Sequence, residues 1–277
     1  MILARTLAGL RDVCAALRHE SGALALVPTM GALHDGHRAL VRAARDSGAA
    51  VVTSIFVNPL QFGASEDLSR YPRDEAGDLA ALEACGCQAV WLPDVAVMYP
   101  PGDVTTIDVA GPAGAWEGAA RPGHFRGVAT VCAKLFGQVR PDRAYFGEKD
   151  WQQLQVVSRM VIDLHLPLEI VGVPTVREPD GLALSSRNRF LSRAERSLAP
   201  QLYAAISQAA REIASGSPAA QPLHSAAAAL ARAGFQVEYL VLVDGATLEV
   251  LDAPATNARL IAAARLGTVR LIDNVPV

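Results

Sequence analysis

Short apolar runs alternate with segments of helical periodicity through the first two thirds of the chain. Five runs rich in apolar and β-branched residues predict strands at 24–27, 51–57, 89–92, 143–146 and 168–173. Apolar residues recur at helical spacing in four intervening segments, which predict helices at 36–47, 74–84, 127–139 and 150–164. An alternation of this kind is typical of a parallel sheet with helices on both faces.

The pattern changes after Pro174. Ser192 and Glu195 stand in a capping-box spacing, which predicts a long helix ending at about Ala214. An alanine-rich helix at 221–233 and three strand-like runs at 236–243, 259–266 and 269–272 follow. We therefore predict an α/β fold, with a doubly wound parallel sheet in residues 1–175 and a smaller α+β domain in residues 176–277. Residues 175–181 are the predicted hinge.

Composition excludes several classes of partner. Of the 277 residues, 51% are hydrophobic and 19% charged, which indicates a well-buried globular protein. A net charge of −3 and an aromatic content of 5% give little attraction to nucleic acid or to anionic lipid. No run approaches the roughly 18 apolar residues of a membrane span. We expect neither nucleic acid nor membrane as a partner.

The N-terminus and the cysteines favour a cytoplasmic protein. Charged residues at Arg5, Arg11 and Asp12 interrupt the apolar character of residues 1–17, which predicts an amphipathic surface helix and not a signal peptide. The four cysteines lack the paired spacing of a zinc site, so we expect reduced thiols.

The segment PTMGALHDGH, residues 28–37, carries the strongest chemical signal. It places His34 and His37 between a predicted strand and a predicted helix. A helix that begins after a glycine-containing turn directs backbone N–H groups and its positive dipole end at one point, which suits a phosphate. Two imidazoles there could stabilise charge at an attacked phosphorus. The alternatives are that the histidines merely cap the helix, or that they bind a metal together with further ligands.

Two more polar segments directly follow predicted strands. Asn58 and Gln61 follow the second strand, and Lys149 and Asp150 follow the fourth. The carboxyl ends of parallel strands meet at one sheet edge, where ligands bind. Lys149 suits a triphosphate as a point charge, whereas Asp150 could equally be a helix cap. Gln61 and Gln153 offer amides that both donate and accept hydrogen bonds, which suits a small polar substrate.

Further candidates lie outside these strand ends. Residues 184–187 combine two hydroxyls with Arg187 and form either a phosphate cradle or an ordinary polar turn. Arg121 and His124 belong to a glycine-containing basic loop, and Asp78 could hold Mg²⁺ through water. Neither a P-loop nor a G-x-S-x-G elbow is present in the sequence, nor does a G-x-G-x-x-G motif follow the first strand.

Together these motifs resemble the pantoate–β-alanine ligase family. The matching segments span nearly the whole chain: PTMGALHDGH, SIFVNPLQFG, YPR at 71–73, GHFRGV, YFGEKDWQQL, VPTVREPDGLALSSRNRFLS and ARLGTVRLIDN. The H-x-x-H element resembles the HIGH signature of nucleotidylyltransferases and class I aminoacyl-tRNA synthetases, which implies a Rossmann-like sheet. Leu184 replaces a methionine common in the family, and Gly77 stands where relatives can carry a second acid.

The resemblance implies ATP-dependent joining of pantoate to β-alanine through a pantoyl adenylate, in a homodimer that uses Mg²⁺. By position, four residues would stabilise the phosphates: His34, His37, Lys149 and Arg187. Other residues would contact the nucleotide: Met30, Gly147, Asp150, Val176, Leu184, Ser185 and Ser186. Gln61, Gln153 and Met30 would hold pantoate. Four residues would lie near β-alanine or the phosphates: Asn58, Tyr71, Arg121 and His124. Asp78 would lie near the metal, and the loop 63–69 would close over the adenylate.

Two other functions remain open on the residues alone. The first is a different nucleotidylyltransferase, which would stop after nucleotide transfer and would need extra cations where this chain has Gln61 and Gln153. The second is a nucleotide-sensing module that binds ATP without turnover.

Overall fold

The computed structural model describes residues 1–63, 68 and 71–277 and divides them into two compact units. Unit 1 comprises Met1–Glu148 and Gln153–Pro174, and unit 2 comprises Lys149–Gln152 and Thr175–Val277. The short segment Lys149–Gln152 thus belongs to unit 2, although the chain on both sides of it belongs to unit 1. The domain limits 1–175 and 176–277 stay a prediction.

Unit 1 is built on a parallel sheet, as the alternating pattern predicts. Its six strands are β1 (Ile2–Ala4), β2 (Leu24–Thr29), β3 (Ala50–Ile55), β4 (Ala89–Trp91), β5 (Arg143–Gly147) and β6 (Glu169–Val173). They lie in the order β1-β4-β3-β2-β5-β6, and every pair is parallel. The central strands β2 and β3 are mostly apolar because both of their faces are buried.

Helices cover both faces of this sheet. The helices up to residue 163 are α1 (Leu7–Ser21), α2 (Asp35–Asp46), α3 (Glu75–Ala84), α4 (Val95–Met98), α5 (Glu117–Ala120), α6 (His124–Val139) and α7 (Trp151–Asp163). Leu40 and Val41 of α2 share a core with Val27 and Val51 of the sheet and with Leu82 of α3. Helices α1 and α6 contact each other and β2 on the other side. The prediction of a doubly wound sheet is confirmed.

The amphipathic helix predicted for residues 1–17 is wrong at its start. Ile2–Ala4 forms an edge strand paired with β4, and the helix begins only at Leu7, after Thr6 caps it. A three-residue strand is too short to have a periodicity of its own, so only its partner strand determines it.

The direction of the strand order reverses between β2 and β5, which are neighbours in the sheet. From β2 the chain adds β3 and β4 on one side, and from β5 it adds β6 on the other. Ligands of open α/β sheets bind beyond the carboxyl ends of the strands at such a reversal. The histidine segment follows β2 at this point, and Gly147 is the last residue of β5.

Unit 2 contains an antiparallel three-stranded sheet packed on helices. Its elements after residue 174 are α8 (Arg193–Leu198), α9 (Gln201–Ala214), α10 (Ala220–Arg232), β7 (Phe235–Asp244), β8 (Ala258–Leu266) and β9 (Val269–Pro276). Its core joins Ile206 and Ile213 of α9 to Leu230 of α10 and to Leu242 and Leu260 of the sheet. The predicted α+β composition is confirmed.

The single long helix predicted from Ser192 to Ala214 is wrong. The capping box between Ser192 and Glu195 is present, but the helix ends at Leu198 and a second one starts at Gln201. Pro200 lies at the break. It has no N–H to donate and its ring clashes with the preceding turn, so it starts a helix better than it continues one.

Within the part of the chain that the structure describes, every helix is too short or too polar to cross a membrane.

The four cysteines are buried and free, and we expect them to be unreactive in the native protein. Burial raises the pKa of Cys14 to about 11 and of Cys132 to about 12, and it also raises the pKa of Cys87. At about pH 8 a disulfide-exchange reagent should therefore label native protein slowly, because the thiolate is the nucleophile. All four cysteines should react in concentrated guanidinium chloride. Rapid labelling of two or more thiols in the native protein would contradict this expectation.

Candidate active site

The turn between β2 and α2 holds the two histidines against each other. His34 is the N-cap of α2, and its Nδ1 accepts a hydrogen bond from the Gly36 N–H at 3.2 Å. His37 lies three residues on, and its Nδ1 accepts from the His34 N–H at 3.3 Å. The two ring centroids are 4.1 Å apart. The histidines thus form a reciprocal capping box in the place usually taken by a hydroxyl and a carboxylate.

This arrangement determines which edge of each ring can act on a ligand. In His34 and His37 the Nδ1 atom accepts a backbone N–H, which assigns the proton of each neutral ring to Nε2. Nε2–H is therefore the hydrogen-bond donor of each neutral ring. Both rings lie at the positive end of the 12-residue helix α2. Capping thus uses the Nδ1 edge of each ring, which is the edge opposite to the Nε2–H donor.

Asn58, at the carboxyl end of β3, is the centre of a buried network. Its side-chain nitrogen donates to Gln61 Oε1 at 3.1 Å and to the Gly127 carbonyl at 3.0 Å. Its oxygen accepts from the Leu60 N–H at 3.2 Å and from the Tyr99 hydroxyl at 2.8 Å. Asn58 is only 1% exposed, and these four bonds use its full hydrogen-bonding capacity. The amide can therefore adopt one orientation only.

Asn58 in turn orients the side chain of Gln61. Because Gln61 Oε1 accepts from Asn58, the amide nitrogen of Gln61 points away from it, 3.0 Å from the sulfur of Met30. One N–H of this amide therefore donates to the thioether sulfur, and the second N–H is the donor that a ligand oxygen could accept from. Donors suit a carboxylate or hydroxyl oxygen, and the thioether suits the carbon skeleton next to it.

Gly127 allows α6 to lie close to the turn that carries Gln61. A Cβ atom at residue 127 would lie 2.4 Å from the Leu60 carbonyl oxygen, so any side chain would force α6 away from the turn that carries Gln61.

Arg121 and His124 support the backbone of Gln61. Nδ1 of His124 lies 2.9 Å from the Gln61 carbonyl oxygen and must donate to it. The other ring nitrogen then accepts from Arg121 at 3.1 Å, and Arg121 also pairs with the buried Glu117 at 3.4 Å. His124 thus carries its neutral proton on Nδ1, the opposite tautomer to the histidine pair.

Tyr99 belongs to the network, but sequence reasoning missed it, as it missed Glu117. Burial raises the pKa of the Tyr99 phenol, and Asp103 and Cys132 raise it further, so the group remains a donor to Asn58. Lys134 lies 5.0 Å from the centre of its ring. Tyr99 follows a four-residue helix, and no motif or spacing in the sequence marks it.

Asp78 lies on α3 and is only 5% exposed. Its two oxygens accept from the Ala32 N–H at 2.9 Å and from the Leu33 N–H at 2.8 Å. Within residues 1–63, 68 and 71–277, no group of three or more His, Cys, Asp or Glu side chains could hold a metal ion. Both oxygens of Asp78 are thus engaged with backbone N–H groups, and its predicted place near Mg²⁺, through water, stays a prediction.

Of the remaining predicted residues in unit 1, Gln153 is half-buried on α7 and Tyr71 packs edge-on against Phe62. Residues 64–67 and 69 of the loop predicted to close over the adenylate lie outside the described residues.

In unit 2, the segment that carries Lys149 is attached to the C-terminal sheet. The Asn274 side chain donates to the Lys149 carbonyl at 3.0 Å, and the Trp151 indole donates to the Gly245 carbonyl at 2.7 Å. The ammonium group of Lys149 lies 3.8 Å from the Asp150 carboxylate. Asp150 lies in a 3-10 turn that continues directly into α7.

Residues 184–187, for which the sequence predicts either a phosphate cradle or a polar turn, also lie in unit 2. Thr175–Gly181, the predicted hinge, forms one side of a hairpin in which the Leu184 N–H donates to the Val176 carbonyl at 3.0 Å. Ser185 then caps a short 3-10 helix by accepting from the Arg187 N–H at 3.3 Å, and the Arg187 side chain is exposed.

Arg177 holds this hairpin in place. Its guanidinium group forms two bonds, of 2.6 and 2.8 Å, to the buried carboxylate of Asp273 and stacks 3.7 Å over the Tyr203 ring.

Comparison with known proteins places this site in a family. A sequence model of the pantoate–β-alanine ligases matches residues 2–276. The chain is 58% identical to the pantothenate synthetase of Granulibacter bethesdensis, over 99% of this chain and 96% of the relative. It is also 58% identical to the pantothenate synthetase of Acidiphilium cryptum, over the full length of both.

Solved structures agree with the sequence relatives. The pantothenate synthetase of Thermus thermophilus superimposes with a TM-score of 0.94 at 50% identity, covering 100% of this chain and 99% of that one. The pantoate–β-alanine ligase of Francisella tularensis, complexed with an ATP compound and β-alanine, superimposes with a TM-score of 0.83 at 32% identity, covering 100% and 97%. Sequence and fold agree over the whole length, and the chain belongs to the pantoate–β-alanine ligase family.

Proposed function

We propose that this chain joins pantoate to β-alanine at the expense of ATP, through a pantoyl adenylate. In the first step a pantoate carboxylate oxygen attacks the α-phosphorus of ATP, and pyrophosphate leaves. In the second, the β-alanine amine attacks the acyl carbon, so that an amide forms and AMP leaves with the carboxylate oxygen. The observation that carries this proposal is the histidine pair at the start of α2, where Nδ1 of each ring accepts a backbone N–H and the two rings lie against each other.

His34 and His37 act on the charge that develops at the α-phosphorus. Donors held in place before the reaction stabilise a transition state without the cost of reorganising at that moment. A carboxylate nucleophile needs no base to activate it, so the first step depends on orientation and charge.

Gln61, Gln153 and Met30 bind pantoate. The orientation of Gln61 supports this assignment, because the second N–H of its amide can donate to an anionic substrate beside the Met30 thioether. Asn58, Arg121 and His124 hold Gln61 in place, and Tyr71 lies near the β-alanine or phosphate region.

Cationic groups of unit 2 act on the phosphates. Lys149 and Arg187 supply positive charge, which suits phosphate oxygens. Further nucleotide contacts come from Gly147, Asp150, Val176, Leu184, Ser185 and Ser186. Mg²⁺ would supply positive charge to the ATP phosphates, bound through those phosphates, water and one or two carboxylates. We further propose a cytoplasmic homodimer, with the H-x-x-H element as its HIGH motif.

The test is a product balance with an isotope label. With ATP, pantoate and β-alanine present, AMP and pantothenate should form in equal amounts, and one ¹⁸O from labelled pantoate carboxylate should appear in AMP. Without β-alanine, pyrophosphate release should stop after about one equivalent per site. Continued turnover without β-alanine would indicate a nucleotidylyltransferase that stops at transfer. ATP binding without any pyrophosphate release would indicate a nucleotide-sensing module.

A further inference from the structure

The turn that precedes the histidine pair has an unfavourable backbone conformation. Gly31 has φ +80° and Ala32 has φ +52°, so two consecutive residues lie in the left-handed region. Glycine adopts this region freely, but alanine does so only where the surroundings impose it. Something outside the turn must therefore hold Ala32 in place.

Side-chain acceptors bind three consecutive backbone N–H groups of this turn. Thr29 Oγ1 accepts from the Gly31 N–H at 3.3 Å, and the two oxygens of Asp78 accept from Ala32 and Leu33 at 2.9 and 2.8 Å. Asp78 belongs to a different element, 46 residues further along the chain than Ala32. A Cβ atom at residue 31 would lie 2.8 Å from Asp78 Oδ2, so there is no room for any side chain between the carboxylate and the turn.

We propose that Asp78 is a positioning residue for the histidine pair. It contacts no reacting atom. It acts through the turn 31–33, whose conformation determines where His34 begins α2 and where both rings point. This inference rests on the proposed function of the histidines and assigns Asp78 a role other than metal binding.

A carboxylate is the group that this geometry requires. Each oxygen of Asp78 accepts one N–H, and the amide of an asparagine could accept only one of them. The amide nitrogen would face the other N–H as a second donor, in a buried place. Asp78→Asn keeps the size of the side chain and should still release one end of the turn. Because a small misplacement of catalytic groups is costly, kcat for adenylate formation should fall by about 10- to 100-fold.

The experiment compares three variants at limiting and at saturating Mg²⁺. Asp78→Asn should lower kcat by the same factor at both concentrations, with much smaller changes in KM for ATP and pantoate. Asp78→Glu keeps the charge but lengthens the side chain, so it should lower kcat too, and it serves as the second variant if the asparagine protein does not fold. Asp74→Ala is the matched control: Asp74 caps the same helix by accepting from the Gly77 N–H at 3.0 Å, and we expect unchanged kcat.

Amide hydrogen exchange gives a readout that does not depend on activity. Exchange at Ala32 and Leu33 should be faster in Asp78→Asn than in the wild type, and unaltered in Asp74→Ala. Unaltered exchange at both amides in Asp78→Asn would overturn the proposal. So would recovery of kcat at saturating Mg²⁺, a wild-type rate for Asp78→Glu, or an equal loss in Asp74→Ala. A wild-type protein that makes no pantothenate would instead refute the proposed function, and the exchange result would still decide the role of Asp78.

Discussion

Replacing His34 with asparagine or His37 with glutamine should slow adenylate formation by about two to three orders of magnitude and leave the fold intact. Asparagine is a favourable N-cap, and glutamine is a usual capping-box residue three positions later. Both substitutions therefore keep an acceptor where the structure has Nδ1 and remove the ring that carries the Nε2–H donor. The measurement is pyrophosphate release in a single turnover, together with the melting temperature.

His165→Asn is the matched control for the histidine variants. His165 is exposed and has φ +50°, a conformation that asparagine tolerates better than most residues. We expect its rate and melting temperature to equal those of the wild type. A near-normal rate in the protein that carries both His34→Asn and His37→Gln would refute the phosphate-stabilising role. A large fall in melting temperature would show that capping is their main contribution.

Gln61→Glu should lower kcat/KM for pantoate by about 100-fold or more, with a much smaller effect on KM for ATP. One oxygen of the introduced carboxylate can still accept from Asn58, but the other replaces the amide donor with a negative charge facing an anionic substrate. Protonation restores a donor, so the loss relative to wild type should lessen as the pH falls through the pKa of the introduced carboxyl group. Initial rates at varied pantoate and pH measure both effects.

Gln138→Glu is the matched control, because it measures the loss of stability caused by a carboxylate that replaces a hydrogen-bonded amide beside a thioether. Gln138 Oε1 accepts from the Trp91 indole at 3.0 Å, and its amide nitrogen lies 3.5 Å from the sulfur of Met98. It thus reproduces the hydrogen-bonded amide and thioether contact of Gln61 away from the proposed pantoate site. We expect some loss of stability and unchanged kcat/KM for pantoate. Equal losses in kcat/KM for both variants would contradict the binding role of Gln61.

Local pattern was sufficient for most of the fold. Parallel strands buried on both faces are apolar runs, and helices packed on one side repeat every three to four residues, so both leave a signal within a few residues. The strand–turn–helix context of His34 and His37 is equally local, and it predicted their place at the helix start. The pattern failed at two places. Strand β1 has only three residues and forms because it pairs with β4. Pro200 lies at the break that divides the predicted helix into two, although the helical periodicity continues past it.

What the tertiary structure alone decided is the set of contacts between distant residues. Asp78 accepts hydrogen bonds from the turn 31–33, which lies 45 and 46 residues earlier in the sequence. Tyr99 donates to Asn58, which lies 41 residues earlier. Asn274 binds the carbonyl of Lys149 across 125 positions. Hydrogen bonds of this kind depend on how the folded chain brings distant elements together, so no local sequence pattern predicts them. The sequence by itself therefore predicted the candidate residues, because their motifs are local, and the tertiary structure decided which atoms of Asn58, Gln61 and Asp78 bind distant groups.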